Sequence, residues 1–333
     1  MTKKTAYKVA AVQAAPEFLD LRGSVDKAIT LIEQAAREGA SLIAFPECWI
    51  PGYPFWAWLD APAWGMKFVQ RYFDNAMTAD GVEAQRLLQA AVDNDIFVSM
   101  GYVERAGSSL YIAQLFLDPE TRTATPRRKL KATHVERSVF GEGDGSDFAV
   151  HDTRLGRIGQ LCCWEHVHPL NKYAMYAMHE QVHIAAWPCF SLYQGKAYAL
   201  GVEINTAVSQ VYALEGGCFV IAATSVMTKA HQDMLCETET HRDLLPLRGG
   251  ASMIFGPDGS PLCKPLSPDE EGLLYADIDL GLIALAKAAA DPVGHYARGD
   301  VFRVYLDSSP RSALEGNAPQ SLSRAWQLLD PAD

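Results

Sequence analysis

The first forty-five residues read as strand, helix, strand, and that order restricts the fold more than any other feature of the chain. Tyr7 to Ala14 has the pattern of a strand. Ser24 stands where a helix N-cap is expected, and Val25 to Glu38 carries apolar residues at helical spacing: Ala28, Ile29, Ile32, Ala35 and Ala36. Gly39 ends that helix. Leu42 to Phe45 is then a short buried strand that runs directly into Pro46-Glu47. A chain that alternates in this way builds an α/β protein.

The rest of the chain keeps the alternation. Val82 to Val92 reads as a helix, and Ile96 to Val103 with Leu110 to Leu117 as strands around a turn at Gly107-Ser108. Phe148 to His151 and Arg157 to Cys162 pair as strands. Leu170 to Met178 is helical, His183 to Ala186 a strand, Val202 to Glu215 a helix and Phe219 to Ala223 a strand. A hairpin spans Ser252 to Lys264, a strand covers Leu273 to Ile278, and a helix covers Leu280 to Ala289. No repeat, low-complexity tract or linker divides the chain. The expectation is one domain over residues 1–290 and an irregular tail over 291–333.

Composition excludes several classes of partner. Net charge is −11, and the one basic run is Arg127-Arg128-Lys129, which argues against nucleic acid or an anionic membrane. No stretch is apolar for long enough to span a bilayer. The N-terminus shows no apolar signal core, and seven cysteines, an odd number, read as reduced thiols. These features predict a cytoplasmic protein.

Four polar groups follow strand-like segments and are the candidates for chemistry. Glu47 follows Leu42 to Phe45, Lys129 and Glu136 lie in Arg127 to Arg137, and Cys163 closes Arg157 to Cys162. Strand ends in a sheet-based fold converge on one crevice, where a thiol, a carboxylate base and an ammonium make a nucleophilic site. Each also has an ordinary alternative. Glu47 reads equally as a loop carboxylate, Lys129 as a solvated lysine, Glu136 as a partner of Arg137, and Cys163 as a small core residue. Between Trp49 and Trp64 the chain is dense in aromatics and prolines, which fits a buried elaboration, a pocket wall or a subunit contact.

Two patterns suggest other chemistry and fail on context. His179-Glu180-Gln181-Val182-His183 matches the H-E-x-x-H zinc motif, but the chain turns strand-like at Val182, which separates the imidazoles. Cys162, Cys163, His166 and His168 have no common zinc spacing, so His166 and His168 read as loop or interface residues. Gly141-Glu142-Gly143-Asp144-Gly145 is too acidic for phosphate and lacks EF-hand spacing; it reads as a mobile loop or a subunit contact. The expectation is no metal and no cofactor.

Phe45-Pro46-Glu47, Lys129 to Arg137 and Cys162-Cys163-Trp164-Glu165 resemble, in order, the three motifs of the nitrilase superfamily of carbon–nitrogen hydrolases. Pro51-Gly52-Tyr53-Pro54, Gly141 to Ser146 and Asp291 to Tyr296 are similar to segments of its nitrilase branch, and Cys162 to Tyr193 looks most like bacterial arylacetonitrilases. The likeness spans roughly Tyr7 to Val304. It implies a four-layer α-β-β-α sandwich and homo-oligomers built from dimers paired across helical faces, extending to spirals or filaments, with the tail in subunit contacts. It implies that Cys163 is the nucleophile, Glu47 the general base, Lys129 the stabiliser of the tetrahedral species, and Glu136 a second, positioning carboxylate. Cys162, on the opposite strand face, takes a core role. Tyr53, Trp56, Trp164, Trp187 and Phe190 are candidates for the substrate pocket, with plain core packing as the other reading of each. Ala132, Val139-Phe140 and Ala297-Arg298-Gly299 depart from the family pattern without touching the four catalytic types. The implied reaction is hydrolysis of a nitrile, of the aryl-aliphatic kind, to acid and ammonia. The alternatives are a cyanide-hydrolysing enzyme, an amidase of the same superfamily, or a non-enzymatic scaffold that keeps the fold.

Overall fold

The structure, a computed structural model, describes residues 5–311 and 326–327. Ala6–Gln13 (β1), Leu21–Arg37 (α1) and Ala40–Ala44 (β2) form the expected opening unit. Trp56–Leu59 (α2), Pro62–Asp74 (α3) and Val82–Asp93 (α4) lead to Phe97–Ala106 (β3), Ser109–Asp118 (β4) and Thr123–Arg128 (β5). Val150–Thr153 (β6), Gly156–Cys162 (β7), Pro169–Ala177 (α5), Val182–Trp187 (β8), Val202–Gly216 (α6) and Phe219–Thr224 (β9) make the second half. Lys229–Leu235 (α7), Glu239–Leu244 (α8), Met253–Phe255 (β10), Gly272–Asp279 (β11), Leu282–Ala289 (α9) and Trp326–Gln327 (β12) complete the described elements.

The strands run in the order β12-β5-β4-β3-β2-β1-β9-β8-β7-β6, with β11 along β1 and β10 along β9. Between β1 and β9 the ladder shrinks to one pair, Gln13 with Thr224, whereas β1 and β11 pair over eight positions. The strands therefore fold over at this point into two sheets. Alternation along each strand separates the layers. Val9 and Ala11 of β1, with Leu42 and Ala44 of β2, meet Ile158, Val182, Ile184, Phe219 and Ile221 of the other sheet in a shared core. Ala10, Val12 and Ile43 face the opposite way, onto Val25, Ile32, Leu87 and Leu88 of α1 and α4. Ala185, Val220 and Ala222 face Met175 and Tyr212 of α5 and α6. The result is the α-β-β-α sandwich, in which the central strands β2, β8 and β9 are buried on both faces and correspondingly apolar.

Several local expectations need correction. Asp20, not Ser24, caps α1: its carboxylate accepts the Gly23 N–H at 2.9 Å, and the helix starts a turn earlier than its apolar spacing suggests. The aromatic stretch from Trp49 to Trp64 is not all loop, because α2 and the start of α3 lie within it, with Pro62 in the first turn of α3. The dense aromatics hide the helical period. β5, α7 and α8 have no counterpart in the sequence reading. In the tail, residues 292–311 are turns and extended chain, but Trp326–Gln327 pair antiparallel with β5. The remaining tail residues lie outside the described ones. Among the described residues no helix is long and apolar enough to cross a membrane.

Candidate active site

The four candidate groups lie beyond the ends of three strands: Glu47 after β2, Lys129 and Glu136 after β5, and Cys163 after β7. Lys129 follows β5, its N–H held by the Ile112 carbonyl at 2.7 Å. Its Nζ donates to Glu47 Oε1 at 2.8 Å and to Glu136 Oε2 at 2.9 Å, and all three side chains are within 2% of full burial. Glu136 lies in a 3-10 turn over His134–Ser138 and accepts the Thr133 N–H at 2.6 Å and the Tyr53 hydroxyl at 2.7 Å. Glu47 lies just beyond β2, and its N–H crosses to the Trp187 carbonyl at 3.1 Å. Gly101 of β3 allows this close approach: a Cβ there would come within 1.8 Å of the Pro46 carbonyl oxygen. Glu47 Oε2 has no hydrogen-bond partner, so one oxygen of a buried carboxylate stays free to take a proton.

Cys163 opens a 3-10 turn, Cys163–Val167, with φ +47, a left-handed conformation that strains any residue bearing a Cβ. The strain turns the sulfur out of the line of β7. Cys162, one residue earlier, packs with Cys48 and Ala186 on the other face. The turn is fastened to the Lys129 strand by a buried clamp absent from the sequence reading. Arg127 donates from both terminal nitrogens to Glu165 at 2.8 Å, and Glu165 also accepts the N–H groups of Leu130 and Cys162 at 2.8 Å. Arg127 and Lys129 share a face of the same extended segment, two residues apart; Glu165 follows Cys163 by two. The signal was the position of Arg127 in a run that reads as solvated charge, which hid its fully buried partner.

Electrostatics assign the resting states. Burial pushes the Cys163 thiol up, the Glu47 charge adds to the rise, Lys129 opposes it, and a hydrogen bond from the Trp164 N–H also lowers it; the net is well above the ordinary thiol value. The Cys163 thiol therefore rests neutral, and only a base would make it nucleophilic. Burial drives Glu47 up to about 8, against the pull of Lys129 and with a further push from Glu136. For Lys129, burial acts downward, but Glu136 and Glu47 outweigh it, and the ammonium stays charged.

A cleft of about 430 Å³, open mouth included, reaches Cys163 and Glu136. Tyr53, Trp164 and Phe190 line it as expected from sequence, together with Phe55, Trp58, Pro188, Leu192, Leu200 and Asn205. Trp56 and Trp187 do not line it. Trp56 is buried against Phe68 and Tyr72, with ring centroids 5.3 and 4.6 Å away, and its neighbours Phe55 and Trp58 hold the wall instead. Trp187 lies behind the site, stacked on His166 at 5.2 Å and donating to Ser209 at 2.9 Å. Helical spacing in α2, invisible in a segment read as loop, decides which aromatics face the cleft. Asn205 of α6 accepts the Trp164 indole N–H at 3.1 Å and so fixes that ring at the cleft wall.

The remaining sequence signals also find places. The glycine-rich loop is not free: Gly143 donates to the Lys129 carbonyl at 2.9 Å, and Asp147 accepts the Arg128 N–H at 2.8 Å. His166 is neither in an exposed loop nor at a surface but fully buried, whereas His168 is exposed. In the H-E-x-x-H stretch, His179 follows α5 with φ +57 and His183 lies within β8, so no single helix carries both. Among the described residues no group of three or more His, Cys, Asp or Glu is arranged to hold a metal ion.

Comparison with known proteins agrees with this arrangement. The carbon–nitrogen hydrolase family matches residues 8–288. An arylacetone-specific nitrilase of Alcaligenes faecalis is 51% identical over 314 residues, 94% of this chain and 88% of that protein. An aliphatic nitrilase of Rhodococcus rhodochrous is 53% identical over 326 residues, 98% of this chain and 88% of that protein. The crystal structure of a carbon–nitrogen hydrolase from Helicobacter pylori G27 superposes with a TM-score of 0.70 at 18% identity, covering 90% of this chain and 97% of that one, a likeness of fold. Taken with the clustered thiol, ammonium and two carboxylates, these matches make the chain a member of the carbon–nitrogen hydrolase family.

Proposed function

We propose that the protein is a nitrilase that converts an organic nitrile and two water molecules into a carboxylic acid and ammonia, with Cys163 as nucleophile. The supporting observation is the buried triad in which Lys129 bridges Glu47 and Glu136 beside the neutral Cys163 thiol. Glu47, through its free oxygen, takes the thiol proton as sulfur bonds to the nitrile carbon. The C≡N bond loses one π pair to nitrogen, which becomes anionic and takes that proton from Glu47, giving a thioimidate and restoring the carboxylate. Lys129 and the Trp164 N–H stabilise that charge, and one such donor contributes about 3 kcal/mol. Glu47 then draws a proton from water as its oxygen adds to the same carbon. The tetrahedral species expels ammonia and leaves a thioester. A second water, activated in the same way, releases the acid and returns the proton to sulfur. Glu136 touches no reacting atom in this scheme. It holds Lys129 and the Tyr53 hydroxyl in place.

An aryl-aliphatic nitrile suits the cleft, whose walls are the rings of Tyr53, Phe55, Trp58, Trp164 and Phe190. An arylacetone-specific relative at 51% identity favours the same class. Ammonia release from phenylacetonitrile, mandelonitrile, an aliphatic dinitrile, cyanide and the matching amides tests this reading. We expect the highest kcat/KM on the arylacetonitriles. Release from the amides alone would overturn the nitrilase assignment, and preference for cyanide would make the protein a cyanide hydrolase.

The pH dependence follows from Glu47. Only its carboxylate accepts a proton, and burial places its titration at about 8. Below that value the acid form dominates and kcat/KM is expected to fall about tenfold per pH unit, while above it the profile flattens. A profile measured between about pH 6 and about pH 9.5 that stays level on the acid side contradicts Glu47 as base.

We further infer a cytoplasmic homo-oligomer built from dimers. The seven cysteines are free thiols, which suits a reducing compartment. Leu170 of α5 and Val211 and Leu214 of α6 expose apolar surface on one helical layer, which suits pairing across it.

A further inference from the structure

Two members of the H-E-x-x-H stretch, Glu180 and His183, are engaged in a buried chain of contacts that ends at Cys163, whereas His179 is exposed. His166 Nδ1 lies 2.6 Å from the Cys163 carbonyl oxygen. His166 Nε2 lies 2.9 Å from His183 Nε2. His183 Nδ1 lies 2.8 Å from Glu180 Oε2, and the Tyr212 hydroxyl donates to Glu180 Oε1 at 2.5 Å. Each of these four side chains is buried to within 2% of full burial. No step of the reaction described above uses any of them.

Counting protons defines the state of this array. A carbonyl oxygen only accepts, so His166 carries a proton on Nδ1. The gap between the two Nε2 atoms needs a second proton, and the gap between His183 and Glu180 a third. Two neutral imidazoles supply two. The third is an additional proton held on the His183–Glu180 bond, and it balances the carboxylate, so the buried array is neutral overall. Without it two lone pairs would face each other at 2.8 Å inside the core. Burial and the neighbouring His183 hold His166 well below the usual imidazole value, in keeping with a neutral ring.

The array acts on the Cys163–Trp164 peptide. That unit is planar, so its C=O and N–H point to opposite sides. His166 holds the carbonyl on one side; on the other, the Trp164 N–H meets the Cys163 sulfur. We propose that His166, His183 and Glu180 are positioning residues that lock the strained Cys163 turn, and with it the Trp164 N–H, in the orientation that receives the developing charge on the nitrile nitrogen. This rests on the assignment of Cys163 as nucleophile. The remote member of the array, Glu180, precedes β8 and does not line the cleft, so it reaches the Cys163 carbonyl through His183 and His166.

The test compares substitutions that break the array with one that preserves its hydrogen bonds. His166→Phe keeps the ring stacked on Trp187 but removes the donor. It is expected to lower kcat by about 10- to 100-fold with KM changed less than about threefold, the size of effect that small misplacements of reacting groups produce. Glu180→Leu is expected to show the same kcat loss. Glu180→Gln supplies an N–H to a neutral His183 and still accepts from Tyr212, so it is expected to recover most of that loss. In protein with ¹⁵N-labelled histidine, a strongly downfield, exchange-protected imidazole proton is expected in the parent and in Cys163→Ala, and not in Glu180→Leu. If His166→Phe does not fold, the Glu180 pair decides alone. Full kcat in a folded His166→Phe or Glu180→Leu, equal activity of the two Glu180 variants, or absence of the protected proton would each overturn the proposal. Turnover by Cys163→Ala would instead overturn the nucleophile assignment on which it rests.

Discussion

A Cys163→Ala variant is expected to fold and to release ammonia from nitriles at least about 10⁴-fold more slowly than the parent, because removing one member of a covalent-catalysis unit forfeits nearly all the unit's contribution. The fold is expected to survive because the substitution removes a single heavy atom beside the cleft and leaves the clamp between Arg127 and Glu165, the carbonyl bond to His166 and the backbone of the turn as they were. Cys163→Ser is expected to fare little better. The same burial that raises the thiol also disfavours an alkoxide, and oxygen is the poorer nucleophile. Cys162→Ala provides the contrast. Its sulfur packs into the core with Cys48 and Ala186 on the opposite strand face, so it loses about 1 kcal/mol of packing and keeps its turnover. Intact-mass analysis after incubation with an electrophilic nitrile is expected to show one adduct in the parent and in Cys162→Ala, and none in Cys163→Ala. Ammonia release by Cys163→Ala at more than about 1% of the parental rate would remove the sulfur from the mechanism.

Lys129→Met is expected to strike both stability and activity. The ammonium neutralises two carboxylates that are otherwise sealed from water, and deleting one partner of such a group costs about 3–5 kcal/mol, because the charges left behind stay buried. One or both carboxyls then take up protons, and the melting temperature falls most at alkaline pH, where that uptake is hardest. On the chemical side, kcat is expected to fall by at least about 10³-fold, since the nitrogen anion loses its cationic partner and Glu47 is no longer held as a base. Adding Glu136→Gln separates the two effects. It removes one stranded charge, so part of the thermal loss returns while turnover does not. Thermal melts at two pH values and ammonia assays of the single and double variants check this. A Lys129→Met protein as stable as the parent would mean that the three groups do not share one electrostatic site.

The layer order and most strands were legible in the sequence because both sheets are buried on two faces, which leaves short continuous apolar runs such as Leu42 to Phe45 and His183 to Ala186. The four chemical groups were legible because each stands directly after such a run or in a motif that keeps its spacing. What escaped detection depends on contacts between distant segments. Arg127 carries no mark that distinguishes a clamp to Glu165 from a solvated charge. His166 reads as a loop or interface residue and Glu180 as part of a zinc-like motif, because neither period nor composition reveals that a turn after β7 and a loop before β8 meet. Trp56 and Trp187 read as pocket residues on aromatic character alone; the helical turn of α2 and the strand face of β8 rotate them into the core, and Phe55 and Trp58 take the cleft-facing positions.

Glu47 and Lys129 follow strands of one sheet, while Cys163 follows a strand of the other, and a single ladder pair between β1 and β9, Gln13 with Thr224, joins the two along their shared border. The reacting distance between sulfur and carboxylate is thus a gauge of how the two sheets slide over each other. Phe97 and Ile221 pack between the two sheets in the sandwich interior, away from the cleft. A change of volume at Phe97 or Ile221 is therefore expected to alter turnover from the middle of the molecule, with the mouth of the cleft unchanged.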